Sequence, residues 1–200
     1  AFPNTYYANL EAKGRFENNA AVTKEVALMM DPSADPFAAP APDADAPIER
    51  FGAKDANDLS WANLLNAYTC TECGRCTSEC PANLTGKKLS PRKIMMDTRD
   101  RIEEIGQNIA TNGSFLDDGK SLLGDYITNE ELWACTSCNA CVQACPVDID
   151  PLNIIMKLRN FATMEESSAP GALNAMMTNV ENNGAPWPFN QMDRANWINE

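Results

Sequence analysis

The stretches Cys70-Thr-Glu-Cys73-Gly-Arg-Cys76-Thr-Ser-Glu-Cys80-Pro81 and Cys135-Thr-Ser-Cys138-Asn-Ala-Cys141-Val-Gln-Ala-Cys145-Pro146 decide how this chain is read. They contain all eight cysteines of the 200 residues. Both follow C-x2-C-x2-C-x3-C-P, and the second repeats the first at a constant offset of 65 residues. Unrelated structural cysteines would not keep such an offset. Zinc sites pair C-x2-C knuckles rather than repeating this longer run. A disulfide framework belongs to small secreted domains in an oxidising compartment, and no secretory signal is visible here.

The run matches the spacing used for cubane iron–sulfur clusters. Three cysteines at intervals of three converge on one cubane, and the fourth, before proline, ligates the partner cluster. Two [4Fe–4S] clusters are therefore expected. Cys70, Cys73, Cys76 and Cys145 are assigned to cluster 1, and Cys135, Cys138, Cys141 and Cys80 to cluster 2. Crossing the fourth ligands ties two distant segments together.

Working outward, each run has a helix on either side. Entering helices are expected over 59–68 and 129–133, the second opened by the capping box Thr128-x-x-Glu131. Leaving helices are expected from Ser90-Pro91 to about residue 105 and from Asp150-Pro151 to about residue 164, each a capping residue followed by proline at the first helical position. Residues 106–127 hold four glycines and read as loops with short helical turns. Strand-like alternation is absent. The fold class is all-α: an α-helical ferredoxin domain over 55–164, flanked by extended N- and C-terminal segments. The first segment is 1–54, with a short helix over 21–30 and a Pro/Ala/Asp-rich tether over 31–47. The second is an extended partner-docking segment over 165–200.

The net charge is −12, of which residues 1–60 carry −5, 61–164 carry −3 and 165–200 carry −4. That acidity disfavours nucleic acid. One basic island, Lys87, Lys88, Arg92, Lys93, Arg99 and Arg101, reads either as a solvated face compensating anionic clusters or as a docking patch. There is no histidine, which removes imidazole ligation and the usual general base. No nucleophile–base pair or phosphate-cradling loop is present, so no catalytic site is expected on this chain. No apolar run is long enough for a membrane span. Tyr68 and Trp133, each two residues before the first cysteine of a run, read as core packing that also shields a cluster. Gly74 reads equally as an ordinary turn glycine and as one allowing close backbone approach to a cluster. Arg75 is expected near a cluster, raising its potential or meeting a partner's carboxylate.

The central 110 residues resemble the α-helical ferredoxin domain found in the C subunits of heterodisulfide reductases and in related iron–sulfur proteins. These include parts of anaerobic glycerol-3-phosphate, glycolate and lactate oxidation systems. The resemblance is carried by Tyr68 to Pro81, Leu89-Ser-Pro-Arg-Lys-Ile94 and Trp133 to Pro151. It implies an electron-transfer subunit of a multi-subunit oxidoreductase. The implied partners are a catalytic CCG-domain or flavoprotein subunit and a membrane cytochrome or quinone-linked subunit. The chain has no CCG segment, so the catalytic half is expected on another polypeptide. The implied location is cytoplasmic, with association at the cytoplasmic face of a membrane. The first six residues look like the stretch following a cytochrome-like region in fused relatives. The stretch from Glu165 to Phe189 looks like the joint between domains of such proteins. Trp187, Phe189 and Trp197 are expected to dock on another subunit, the competing reading being that the tail folds back on its own domain. A free, diffusible dicluster ferredoxin is the alternative function, and a sensing or structural iron–sulfur module the other.

Overall fold

Local capping chemistry starts the main helices. The computed structural model describes residues 13–14, 20–31, 33 and 50–199. Helix α1 spans Ala20–Met30, and the tether expected over 31–47 lies almost wholly outside the described residues. A single 3-10 turn at Ala56–Asp58 precedes α2, Trp61–Tyr68, whose N-cap Ser60 accepts from the Asn63 N–H. The first cysteine run contains α3, Arg75–Ser78, and is followed by α4, Pro81–Leu84. Ser90 then caps α5, Pro91–Asn112, through the Lys93 N–H. Thr128 and Glu131 cap each other's backbone at the start of α6, Asn129–Ala134. The second run contains α7, Ala140–Gln143. Asp150 caps α8, Pro151–Met164, through the Asn153 N–H at 3.0 Å. Helix α9, Gly171–Asn183, and a 3-10 stretch, Gln191–Asn199, end the chain. No strand forms among the described residues, so the all-α reading holds.

Two helical details differ from expectation. Helix α5 continues past residue 105 to Asn112, because Gly106 is an exposed mid-helix glycine and costs only about 1 kcal/mol relative to alanine there. The stop comes at Gly113, in the left-handed region at φ 79°. The C-terminal segment is not extended throughout, since 171–183 is rich in Ala, Leu and Met and forms α9 before Gly184 ends it.

The core lies where α5 and α8 cross, with α2 on α5 and α6 on α8. Leu89, Ile94, Met95, Leu122, Ile127, Leu132, Ile154, Ile155 and Leu158 are essentially sealed from solvent. Burying each Leu or Ile contributes about 1.5–3 kcal/mol. The 106–127 connection is pinned by Arg101, whose side chain is fully buried. Its fork binds Asp55 at 2.7 Å, Asp118 at 2.6 Å and the Lys120 carbonyl at 2.9 Å. The Arg101 guanidinium holds the Asp118 carboxyl down at about 2. Asp55 also accepts from the Leu122 N–H at 3.0 Å, so one carboxylate anchors the entry turn and the connection together.

Packing extends a few residues beyond 55–164. Ala53 N–H donates to the Lys157 carbonyl at 3.0 Å, Phe51 N–H to Glu165, and Lys54 pairs with Glu166. No helix among the described residues is long and apolar enough to cross a membrane.

Candidate metal centre

The two cysteine runs fold to the same backbone. The residue before the second cysteine takes positive φ in both, 55° at Glu72 and 57° at Ser137. So does the residue after it, 81° at Gly74 and 62° at Asn139. Successive turns of this kind aim backbone N–H groups inward and build an anion-binding concavity. Gly74 answers to its dihedral rather than to space, since a Cβ there would meet nothing closer than Arg92 Nη1 at 3.8 Å.

One cavity is lined by Cys70, Cys73 and Cys76 of the first run and by Cys145 of the second. Its remaining wall includes Arg92 and Met95 of α5 and Val147, Ile149 and Pro151. The other four sulfurs form a second neighbourhood. Cys135 feels Cys80 and Cys138 as like charges, and Cys141 feels Cys135, Cys76 and Cys80. Helices α3 and α7 pack on one another, so the two neighbourhoods adjoin.

Burial pushes the thiols of Cys70, Cys76 and Cys135 up, and that of Cys141 to about 12. Such thiols become thiolates only against a cationic partner, which is what an iron cluster provides. Backbone donors are already placed for thiolates. Ser137 N–H donates to Cys135 Sγ at 3.4 Å and Ile149 N–H to Cys145 Sγ at 3.3 Å. The donor set and its N–H groups fit two iron–sulfur clusters. Cys73 and Cys138 are the exposed thiol in each set, while Cys80 and Cys141 are buried.

Other expectations fare differently. Arg75 lies on an open surface with Ser78, Glu79 and Gln143, while Arg92 occupies the cavity wall. The basic island is largely consumed internally. Lys88 pairs with Glu130, Lys93 with Asp97 and Glu131, Arg99 with Glu72, and Arg101 with Asp55 and Asp118. Tyr68 is exposed at 59%, whereas Trp133 packs on the core beneath Arg159, 4.9 Å from guanidinium to ring. Sequence reasoning misses Arg159. It donates to the carbonyls of Leu132 and Cys135 at 2.8 and 2.6 Å, and its spacing from Pro151 is the signal that points to it.

Residues 69–149 match the family described as 4Fe-4S dicluster domain. The chain is 34% identical over 181 residues to the probable iron-sulfur-binding oxidoreductase FadF of Bacillus subtilis, covering 76% of this chain and 26% of that protein. It is 31% identical over 171 residues to the EtfAB:quinone oxidoreductase of Syntrophomonas wolfei, covering 76% and 24%. Over 109 residues it is 31% identical to the C subunit of the ferredoxin/F(420)H(2)-dependent CoB-CoM heterodisulfide reductase of Methanosarcina acetivorans, covering 54% of each. The chain thus spans about a quarter of the first two relatives and about half of the third. Its cysteine-bearing segment matches a 4Fe–4S dicluster domain and takes two [4Fe–4S] clusters, within a chain similar to iron–sulfur oxidoreductases and heterodisulfide reductase C subunits.

Proposed function

We propose that this chain is the electron relay of a larger oxidoreductase, with Cys70, Cys73, Cys76 and Cys145 holding one cluster and Cys135, Cys138, Cys141 and Cys80 the other. The observation that carries the reading is the single cavity in which Cys145 joins the three cysteines of the first run. When bound, each cubane supplies a one-electron couple. The protein's part is to hold the two sets side by side through α3 and α7, to donate backbone N–H groups to sulfur and to leave one thiol of each set exposed. Exposed Cys73 and Cys138 mark the two edges at which an electron enters and leaves. Relatives named as oxidoreductases or as a reductase subunit favour a relay inside a complex over a free ferredoxin. The partner is a catalytic CCG-domain or flavoprotein subunit. Quinones reside in membranes, so the relative named for quinone supports placing the chain at the cytoplasmic face of one.

The test is cofactor content and ligand exchange. Anaerobically purified protein is expected to hold about eight irons and eight sulfides per chain, from two cubanes. Cys145→Ser should damage the cluster of the first run and spare that of the second. Zinc at about two per chain, from one ion for each set of four thiolates, or damage to the second cluster instead would refute the assignment.

A further inference from the structure

The helices leaving the two cysteine runs are built in register. Each carries an arginine eight residues past its first-turn proline, Arg99 in α5 and Arg159 in α8. Each reaches the same place in its own run, the positive-φ residue before the second cysteine. Arg99 Nη1 lies 2.6 Å from Glu72 Oε1. Arg159 Nη1 donates to Ser137 Oγ at 3.4 Å, while its other nitrogens hold the Leu132 and Cys135 carbonyls.

The two copies differ in charge. Glu72 meets Arg99, and Asp100 lies 3.7 Å away on its other side. Around Arg159 the described residues offer carbonyls, a hydroxyl and the Trp133 ring, with no carboxylate at ion-pair distance. A fixed cation beside a cluster stabilises the reduced form, which carries one more negative charge, and a cation cancelled by a carboxylate does so far less.

We propose that Arg99 and Arg159 are equivalent positioning residues that set the potentials of the two clusters unequally. Glu72 cancels Arg99 beside the Cys70 cluster, while uncompensated Arg159 raises the potential of the Cys135 cluster above what that site would otherwise give. The inference rests on the crossed two-cluster reading.

The experiment is a reductive titration of the anaerobically purified chain followed by paramagnetic resonance, with iron and sulfide counted on every variant. Ser137→Glu copies Glu72 into the second run at a dihedral that Glu72 already adopts. It should lower one midpoint by about tenfold in the reduction equilibrium, ~59 mV for a one-electron couple. Arg159→Gln should lower the same midpoint. Glu72→Gln should raise the other. Ser137→Glu leaving both midpoints in place with full iron content would overturn the inference, as would Ser137→Glu and Glu72→Gln acting on the same midpoint. A wild-type chain short of about eight irons would instead sink the two-cluster reading and this inference with it.

Discussion

Gly52 approaches Lys157 so closely that a Cβ on it would lie 2.3 Å from the Lys157 carbonyl oxygen and 2.6 Å from the Phe161 nitrogen. Its φ is also +77°, so both space and dihedral demand glycine. The contact lets Ala53 bond to Lys157 and draws the entry segment onto α8. Because the clashing atoms are backbone, they cannot swing aside. Gly52→Ala is expected to destabilise by at least about 2 kcal/mol, as overpacking and left-handed strain combine. For a chain of this size that is a fall of roughly 4–8 °C in thermal midpoint at a fixed scan rate. An unchanged midpoint would mean that the entry segment does not pack on α8 as described.

Gly74 makes the opposite prediction. Its φ is +81°, but the space around it is open, and its counterpart Asn139 has a side chain at φ 62°. Gly74→Asn should cost under about 1 kcal/mol, since asparagine tolerates this region. Gly74→Val should cost more, because a β-branched residue there is a true outlier. Iron retained per chain during aerobic storage reads the difference. Equal loss in both variants would show that side-chain size, not dihedral, limits the position.

Arg101 offers a test of the connection between the runs. It is fully buried and is the only cation holding Asp55 and Asp118 among the described ion pairs at those carboxylates, apart from the backbone donors they share. Arg101→Met leaves two carboxylates facing each other with their partner gone. Breaking a buried pair in this way costs about 3–5 kcal/mol. The variant should unfold at clearly lower denaturant, and Arg101→Met combined with Asp118→Asn should recover part of the loss. If the double variant is no more stable than the single, the network is not the source of the cost.

What could be read in the sequence divides by range. Cysteine spacing, the Ser90-Pro91 and Asp150-Pro151 starts and the Thr128–Glu131 box are local, because the partners lie within a few residues of one another. The Arg101 fork, the Arg159 clamp and the Gly52 approach join residues 17, 24 or more positions apart, and composition does not encode such pairings. The basic island illustrates the limit. Six cations within fifteen residues look like a surface patch until the fold supplies acids from elsewhere. Tyr68 and Trp133 occupy equivalent positions, yet Trp133 is half-buried against the core and Tyr68 is exposed. Arg159 stacks on Trp133, whereas Arg99 is drawn away to Glu72.

The C-terminal segment carries the last prediction. Trp187, Phe189 and Trp197 are 58, 63 and 73% exposed, so the tail does not bury them against its own domain. Large aromatics left in water are costly, and such residues are enriched in the buried centres of interfaces. The chain up to Ala169 belongs with the domain, since Glu165 and Glu166 bond back to Phe51 and Lys54 and Ala169 is buried. A chain ending at Pro170 should therefore keep its irons and cluster spectra while losing co-purification with its redox partner. Replacing Trp187, Phe189 and Trp197 together by serine should do the same without shortening the chain. Loss of the clusters in the truncated form would make the tail part of the domain, and undiminished partner binding by both variants would end the docking proposal.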